Sequence, residues 1–219
     1  IDDGEAVRIL DLRDRDGVEA WRIDGPAVAF TQLPSSKFLQ AEVTDSVAEL
    51  AEDVDGDGPI TVVCAEGKAS AYVADLLCDA GVPAHNLAEG MDGWARIYTA
   101  TDIAADPTVV QYHRPSSGCL AYAVVSDDEA AVVDPLRAFT DRYVSDLHER
   151  GADVVAVLDT HVHGDHVSGL RSLSDAVGAP RHLPAGSVDR GVTYDVDPVA
   201  AGDLIPVGDA KLEAVALPG

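Results

Sequence analysis

Apolar residues along this chain come in short blocks that alternate with amphipathic ones. VRILDL and ITVVCA read as buried strands, SAYVADLLCDAG as a helix closed by Gly81, and AHNLAEG as a third short strand and turn. Strands alternating with helices predict a parallel α/β sheet for residues 1–100. ATDIAADP is small and polar with no apolar period, so residues 101–107 are expected to be a linker. Beyond it, LAYAVV and AAVVD predict a hairpin turned across SDDE. FTDRYVSDLHERG predicts a helix with Phe139, Tyr143 and Leu147 on one stripe, and VVAVL a strand that runs straight into THVHGDH. A second domain is thus expected over 108–219.

The chain of 219 residues, 47% hydrophobic, has enough apolar material for two cores. Its net charge of −24 excludes nucleic acid and anionic membrane surfaces as partners, because both are repelled at long range. Acidic residues are mostly Asp, and Lys appears only at Lys37, Lys68 and Lys211. That balance is expected of a halophilic protein, whose self-repulsion salt screens, the plainer alternative being an ordinary acidic protein. No apolar run reaches the ~20 residues of a membrane span and no basic segment leads into an apolar signal core, so a cytoplasmic location is expected. Cys64, Cys78 and Cys119 are an odd, scattered set, expected to be thiols rather than disulfides. Nothing in the composition excludes a homo-oligomer.

Cys64 ends the strand ITVVCA, a loop containing Gly67 follows, and a helix is predicted to begin near Ser70. A helix N-terminus and a loop of inward-pointing N–H groups stabilise a thiolate, the nucleophilic form of cysteine. Gly67 permits the turn. Spacing alone leaves open the alternative that Cys64 is a small buried hydrophobe at a strand end. Cys78 falls on the apolar side of the predicted helix and is expected in the core.

THVHGDH holds three of the chain's seven histidines. His161 and His163 are two apart, so an extended backbone places both on one side, where they can converge on one cation. Gly164 turns the chain and brings Asp165 and His166 back toward the same point. Imidazoles with a carboxylate suit zinc, iron or manganese, whereas calcium prefers oxygen ligands. His85, His113, His148 and His182 are isolated and expected at the surface or in hydrogen bonds. Trp21 and Trp94 are expected to pack the first core.

These residues carry two resemblances. ILDLRDRDGVEAWRIDGPAVAF, VVCAEGKAS and NLAEGMDGW resemble, in order and spacing, a rhodanese domain with its Asp-x-Arg strand, cysteine loop and Gly-Met-x-x-Trp segment. The resemblance implies that Cys64 accepts a sulfane sulfur as a persulfide, cradled by the N–H groups of Ala65, Glu66, Gly67, Lys68, Ala69 and Ser70. Loops of that family often carry arginines where this chain has Ala65 and Ala69, which leaves Lys68 as the loop's cation, opposed by Glu66. The family's opening strand and helix are expected to precede Ile1.

His-x-His-x-Asp-His after a strand resembles the metallo-β-lactamase superfamily. It implies a sandwich of two β-sheets flanked by helices, with the N-terminal portion of that αββα fold in 108–219. In superfamily hydrolases His161 and His163 would hold one metal, and Asp165 and His166 a second. YHRPSSGCLAYAVVSDDEAAVVDP, with Ser116, Ser117, Asp134 and Pro135, and then Ser168 and Gly169, is similar to the persulfide dioxygenase branch, a neighbour of the glyoxalase II thioesterases. That branch implies one Fe(II) per domain, held by His161 with a later histidine and a later aspartate. His163, Asp165 and His166 would then surround the iron or the substrate. The implied reaction is oxidation by O₂, to sulfite, of a persulfide of glutathione or another low-molecular-weight thiol.

The glyoxalase II alternative implies one or two zinc ions held by all four residues, and thioester hydrolysis. The two resemblances make chemical sense together, since a rhodanese moves sulfane sulfur and a persulfide dioxygenase consumes it. A non-catalytic sulfur-binding module is a third reading. LEAVALPG resembles the strand and turn that lead to the superfamily's next metal-binding histidine, so the sequence is expected to be a piece of a longer protein.

Overall fold

The computed structural model describes residues 4–164 and 166–217, and the chain divides into two compact units, Ile1–Ile97 and Tyr98–Gly219. The first contains β1 (Val7–Asp11), α1 (Arg15–Ala20), β2 (Val28–Gln32), α2 (Ser35–Val43) and α3 (Val47–Ala51). β3 (Ile60–Val63), α4 (Lys68–Asp79), β4 (Ala84–Asn86) and α5 (Gly90–Trp94) complete it. Its strands form a wholly parallel sheet in the order β2-β1-β3-β4. Because strand side chains alternate between faces, neighbouring residues feed different cores. Leu10 and Val62 pack with Phe38 of α2, Val47 of α3 and Leu77 of α4, whereas Ile9 and Val63 pack with Met91 of α5, joined by Trp21 and Trp94. β2 shows no alternation that a pattern search could find, since all five of its residues are half-buried at the sheet edge.

Just past β1, Arg13 closes a two-pronged pair on the buried Asp11 at 2.6 Å and also donates to the carbonyls of Gly17 and Trp21. The Asp-x-Arg pair thereby pins α1 to the sheet. Cys78 departs from its expected place in the core and is exposed. The buried stripe of α4 runs through Ser70, Val73, Ala74 and Leu77, and the Cys78 thiol lies beside it, donating to the Ala84 carbonyl at 3.2 Å.

The second unit opens with β5 (Thr99–Ala105), β6 (Thr108–Arg114), β7 (Cys119–Ser126) and β8 (Glu129–Val133). α6 (Thr140–Glu149), β9 (Asp153–Leu158), α7 (Leu170–Val177), β10 (Arg181–Pro184) and β11 (Asp197–Val199) follow. Seven strands lie in the order β11-β10-β9-β8-β7-β6-β5, antiparallel from β5 to β8 and parallel from β8 to β11. One face packs on α6 and α7 through Tyr143, Leu147, Leu170 and Leu173. Against the other lies a hairpin of β12 (Leu204–Val207) and β13 (Ala210–Glu213), with Ile205 and Val207 on Ala131 and Ala156.

The expected linker at 101–107 takes a different form: it supplies most of β5 and the turn into β6, and the division between units falls at Ile97 and Tyr98. β5 is an edge strand, exposed along nearly its whole length, so backbone pairing with β6 holds it and no apolar period is needed. No helix among the described residues is long and apolar enough to cross a membrane.

Candidate functional sites

Cys64 leaves the end of β3 buried, and the chain turns at once into α4 through Gly67, whose φ of +84° is left-handed. A side chain at position 67 would also come within 2.7 Å of the Glu89 nitrogen. The sulfur accepts three hydrogen bonds, from Gly67 N at 3.1 Å, Ser70 N at 3.4 Å and Ser70 Oγ at 3.1 Å. Burial pushes the thiol pKa up. The Ser70 hydroxyl and the N–H groups of Ser70, Gly67 and Glu66 outweigh it together and hold Cys64 below the ordinary thiol value. Neutral donors therefore prepare the nucleophile, at the N-terminal end of a 12-residue helix.

A second layer holds the loop. Met91 N donates to the Cys64 carbonyl at 2.9 Å and Asp92 N to the Ala65 carbonyl at 3.0 Å. A Cβ at Gly90 would lie 2.2 Å from the Cys64 carbonyl oxygen, which accounts for glycine before methionine in that segment. Ala65, Glu66, Lys68 and Ala69 stand exposed around the loop, and Lys68 Nζ pairs with Glu66 at 2.8 Å.

The other site starts from register. β8 and β9 run parallel with Val133 beside Leu158, and each strand is followed by an aspartate, so Asp134 and Asp159 come to the foot of the histidine loop together. Asp134 sits at φ +52°, a strained conformation that aspartate tolerates better than most residues. Its carboxylate accepts from Thr160 N at 2.6 Å and Thr160 Oγ1 at 2.8 Å, and lies 2.9 Å from His163 Nε2. Thr160 Oγ1 is in turn 2.9 Å from His161 Nδ1.

Asp159 is buried and accepts from Ser168 Oγ at 2.6 Å, while its Oδ1 has no hydrogen-bond partner among the described residues and lies 3.8 Å from His163 Nε2. Burial first, then the charge of Asp134, push the Asp159 carboxyl above the usual carboxylate range. The loop is closed by Arg137 N on the Val167 carbonyl at 3.0 Å, and Gly169 packs so tightly on Leu136 that a Cβ would meet its carbonyl carbon at 2.9 Å.

The three histidine rings lie against one another, His161 on His163 at 4.1 Å between centroids and His163 on His166 at 3.9 Å. Asp165, expected to be a ligand, lies outside the described residues. Nitrogen atoms of His161 and His163 and an oxygen of Asp134 come within 4.8 Å of one another. This mixed nitrogen and oxygen set, with a buried carboxylate oxygen of Asp159 lacking a partner beside it, fits a divalent transition metal. Asp134 and Asp159 join the site from outside the THVHGDH motif, and the trace they leave in sequence is two apolar strands, AAVV and VVAVL, each followed by an aspartate. His85 is exposed and paired with Thr61 Oγ1 at 2.9 Å.

Residues 1–97 match the rhodanese-like domain family, and residues 114–215 match the metallo-beta-lactamase superfamily. Among curated proteins, a hydroxyacylglutathione hydrolase of Synechococcus sp. (strain WH7803) is 39% identical over 79 residues, covering 34% of this chain and 28% of that one. A beta-lactamase hydrolase-like protein of Xylella fastidiosa is 28% identical over 182 residues, covering 74% of this chain and 42% of its own. The chain thus spans less than half the length of these relatives. Among solved structures, ETHE1 from Myxococcus xanthus aligns with a TM-score of 0.43 at 21% identity, covering 53% of this chain and 46% of that one. A rhodanese-like domain protein of Staphylococcus aureus aligns with a TM-score of 0.31 at 24% identity, covering 41% of this chain and 76% of its own.

Proposed function

Because this chain joins a rhodanese-like domain to a domain of the metallo-beta-lactamase superfamily, we propose that it belongs to a cytoplasmic sulfur-metabolism enzyme combining sulfane-sulfur transfer with persulfide oxidation. The observation that carries the proposal is the Cys64 sulfur, buried at a helix N-terminus and held by three hydrogen bonds that favour its anionic form. The Cys64 thiolate attacks the outer sulfur of a donor. The donor's S–S bond breaks, its electron pair leaves with the departing group, and Cys64 is left as a persulfide. A low-molecular-weight thiol such as glutathione then takes the sulfur and becomes the persulfide that the second domain consumes.

In that domain His161 and His163 are the proposed metal-holding residues, with His166, whose ring lies against His163, and Asp165 of the same sequence motif as the further candidates. Asp134 orients the loop through Thr160 and His163. One Fe(II) bound there would supply the redox chemistry that lets O₂ oxidise a persulfide.

A second reading is favoured by the hydroxyacylglutathione hydrolase relatives: thioester hydrolysis with one or two zinc ions. Metal analysis of the intact protein purified without air, paired with O₂ uptake on glutathione persulfide, separates the two. Stoichiometric iron with uptake abolished by His161→Ala is expected. Two zincs, no uptake and thioester hydrolysis would overturn the oxidation half of the proposal and leave Cys64 to be judged by its own persulfide.

A further inference from the structure

We infer that the donor feeding Cys64 is an organic persulfide of low charge, zwitterionic or cationic, and not a doubly charged inorganic anion such as thiosulfate. This deepens the reading of Cys64 as a sulfur carrier and rests on it. The ground is the balance of charge around the mouth of the loop.

The exposed side chains of the loop that follows Cys64 are Ala65, Glu66, Lys68 and Ala69, two methyl groups and a matched ion pair at 2.8 Å. The loop's single cation is therefore already engaged. The segment packed on the loop adds Glu89, ion-paired with Arg96, and Asp92, whose carboxylate has no ion pair among the described residues. Arg13, which follows the strand end next to Val63, is committed to Asp11 and to two backbone carbonyls, and its side chain is 13% exposed. Taken together, the rim is neutral to slightly negative. Residues 1–97 carry 20 acidic side chains against seven basic ones, so no wider basic field offsets it.

The groups that touch the sulfur are N–H and O–H dipoles. They suffice for the one charge that a thiolate or persulfide brings. A dianion entering the same loop adds two charges within contact of that sulfur and meets no free cation among the described residues of the loop and the segment packed on it, at a distance where salt screens little. A low-charge persulfide avoids this. The Cys64 Sγ anion bonds to the donor's terminal sulfur, the donor's S–S bond breaks, and the electron pair leaves with the donor's thiolate. The persulfide proton stays on the transferred sulfur, so one negative charge enters the step and one leaves it.

The test is single-turnover loading of Cys64 at low ionic strength, read as added sulfur by mass spectrometry of the intact chain. In the protonated form that the step consumes, cysteamine persulfide, cysteine persulfide and glutathione persulfide are cationic, zwitterionic and singly anionic, and with doubly anionic thiosulfate they form a series, run at a pH low enough to keep the persulfides protonated. Rates are expected to fall along that series, with thiosulfate more than about tenfold below cysteine persulfide. Glu66→Gln, which frees Lys68, should raise the thiosulfate rate severalfold and leave cysteamine persulfide no faster. Thiosulfate loading as fast as cysteine persulfide, or a thiosulfate rate indifferent to Glu66→Gln, overturns the inference. Failure of every donor to add sulfur to Cys64 in the folded protein overturns the carrier reading, and the inference with it.

Discussion

Ser70 gives Cys64 two hydrogen bonds at once, its backbone N–H at 3.4 Å and its hydroxyl at 3.1 Å from the sulfur. The hydroxyl is the strongest single influence opposing burial at this thiol. Ser70→Ala removes it without crowding the site, so the Cys64 pKa should rise. Alkylation rate measured against pH should show the wild-type midpoint below, and the variant's above it, on the same intact chain. The linkage has a definite sign. A thiol pKa depressed by folding contributes stability above the unfolded value, near ~8.5, and that contribution is lost as pH falls through the folded value. Unchanged midpoints would remove Ser70 from the account of thiolate stabilisation.

Gly90 tests how firmly the loop is clamped. A Cβ there would lie 2.2 Å from the Cys64 carbonyl oxygen and 2.7 Å from Gly67 N, on a residue already at φ +58°. Gly90→Ala should destabilise the first unit by about 1–3 kcal/mol or more. It should also slow Cys64 alkylation, because the Cys64 carbonyl is held by Met91 N at 2.9 Å and cannot move away without releasing it. Urea unfolding and alkylation on one preparation check both effects. Loss of stability with unaltered reactivity would show that the clamp supports the fold and not the sulfur.

What the sequence reveals and conceals follows from these local causes. The stripe of Tyr143 and Leu147 on α6 is visible because it is buried at the helical period, and β9 because cores on both faces of the sheet, Val157 in one and Ala156 in the other, make it a continuous apolar run. β5 is hidden because an edge strand exposed on both faces has no period to show. Cys78 misleads because it is apolar and adjacent to the buried Leu77, yet one residue further around a helix is enough to bring it to solvent. The histidines advertise a metal by crowding in sequence. Asp134 is distant along the chain and reaches His163 through the pairing of β8 with β9, information that lies in tertiary register and not in local spacing.

Asp134 should therefore matter as much as a histidine for metal binding. Asp134→Ala strips acceptors from Thr160 N, Thr160 Oγ1 and the neighbourhood of His163 Nε2, and places alanine at φ +52°. A loss of about 10–100-fold in zinc or Fe(II) affinity is expected, the usual cost of removing a group that orients a metal-binding histidine. Asp134→Asn keeps an acceptor and tolerates the backbone, so it should recover part of the affinity. Metal titration by calorimetry resolves the three proteins. Equal affinities across them would reduce Asp134 to a strand terminus.

Tyr143 links this loop to the core beneath it. Its hydroxyl accepts from the Leu136 N–H at 2.9 Å, two residues beyond Asp134, and pairs with the hydroxyl of Tyr98. Burial pushes its pKa up to about 12, and burial likewise raises Tyr98 and Tyr112, the latter also bonded to Asp146 at 2.6 Å. An unfolded tyrosine ionises near ~10, so from there upward the unfolded chain releases protons that the folded one retains. Stability contributed by these side chains should be intact below pH ~10 and drain away as pH rises toward the folded value for Tyr143 of about 12. Tyr143→Phe leaves the buried Leu136 N–H without its acceptor and should cost about 1–3 kcal/mol at neutral pH. It should also flatten the alkaline loss, since one raised ionisation is gone. Urea midpoints of both proteins across the alkaline range decide the matter. A variant as stable as the wild type, with the same alkaline slope, would mean that the Leu136 N–H finds another acceptor and that Tyr143 serves only as apolar filling.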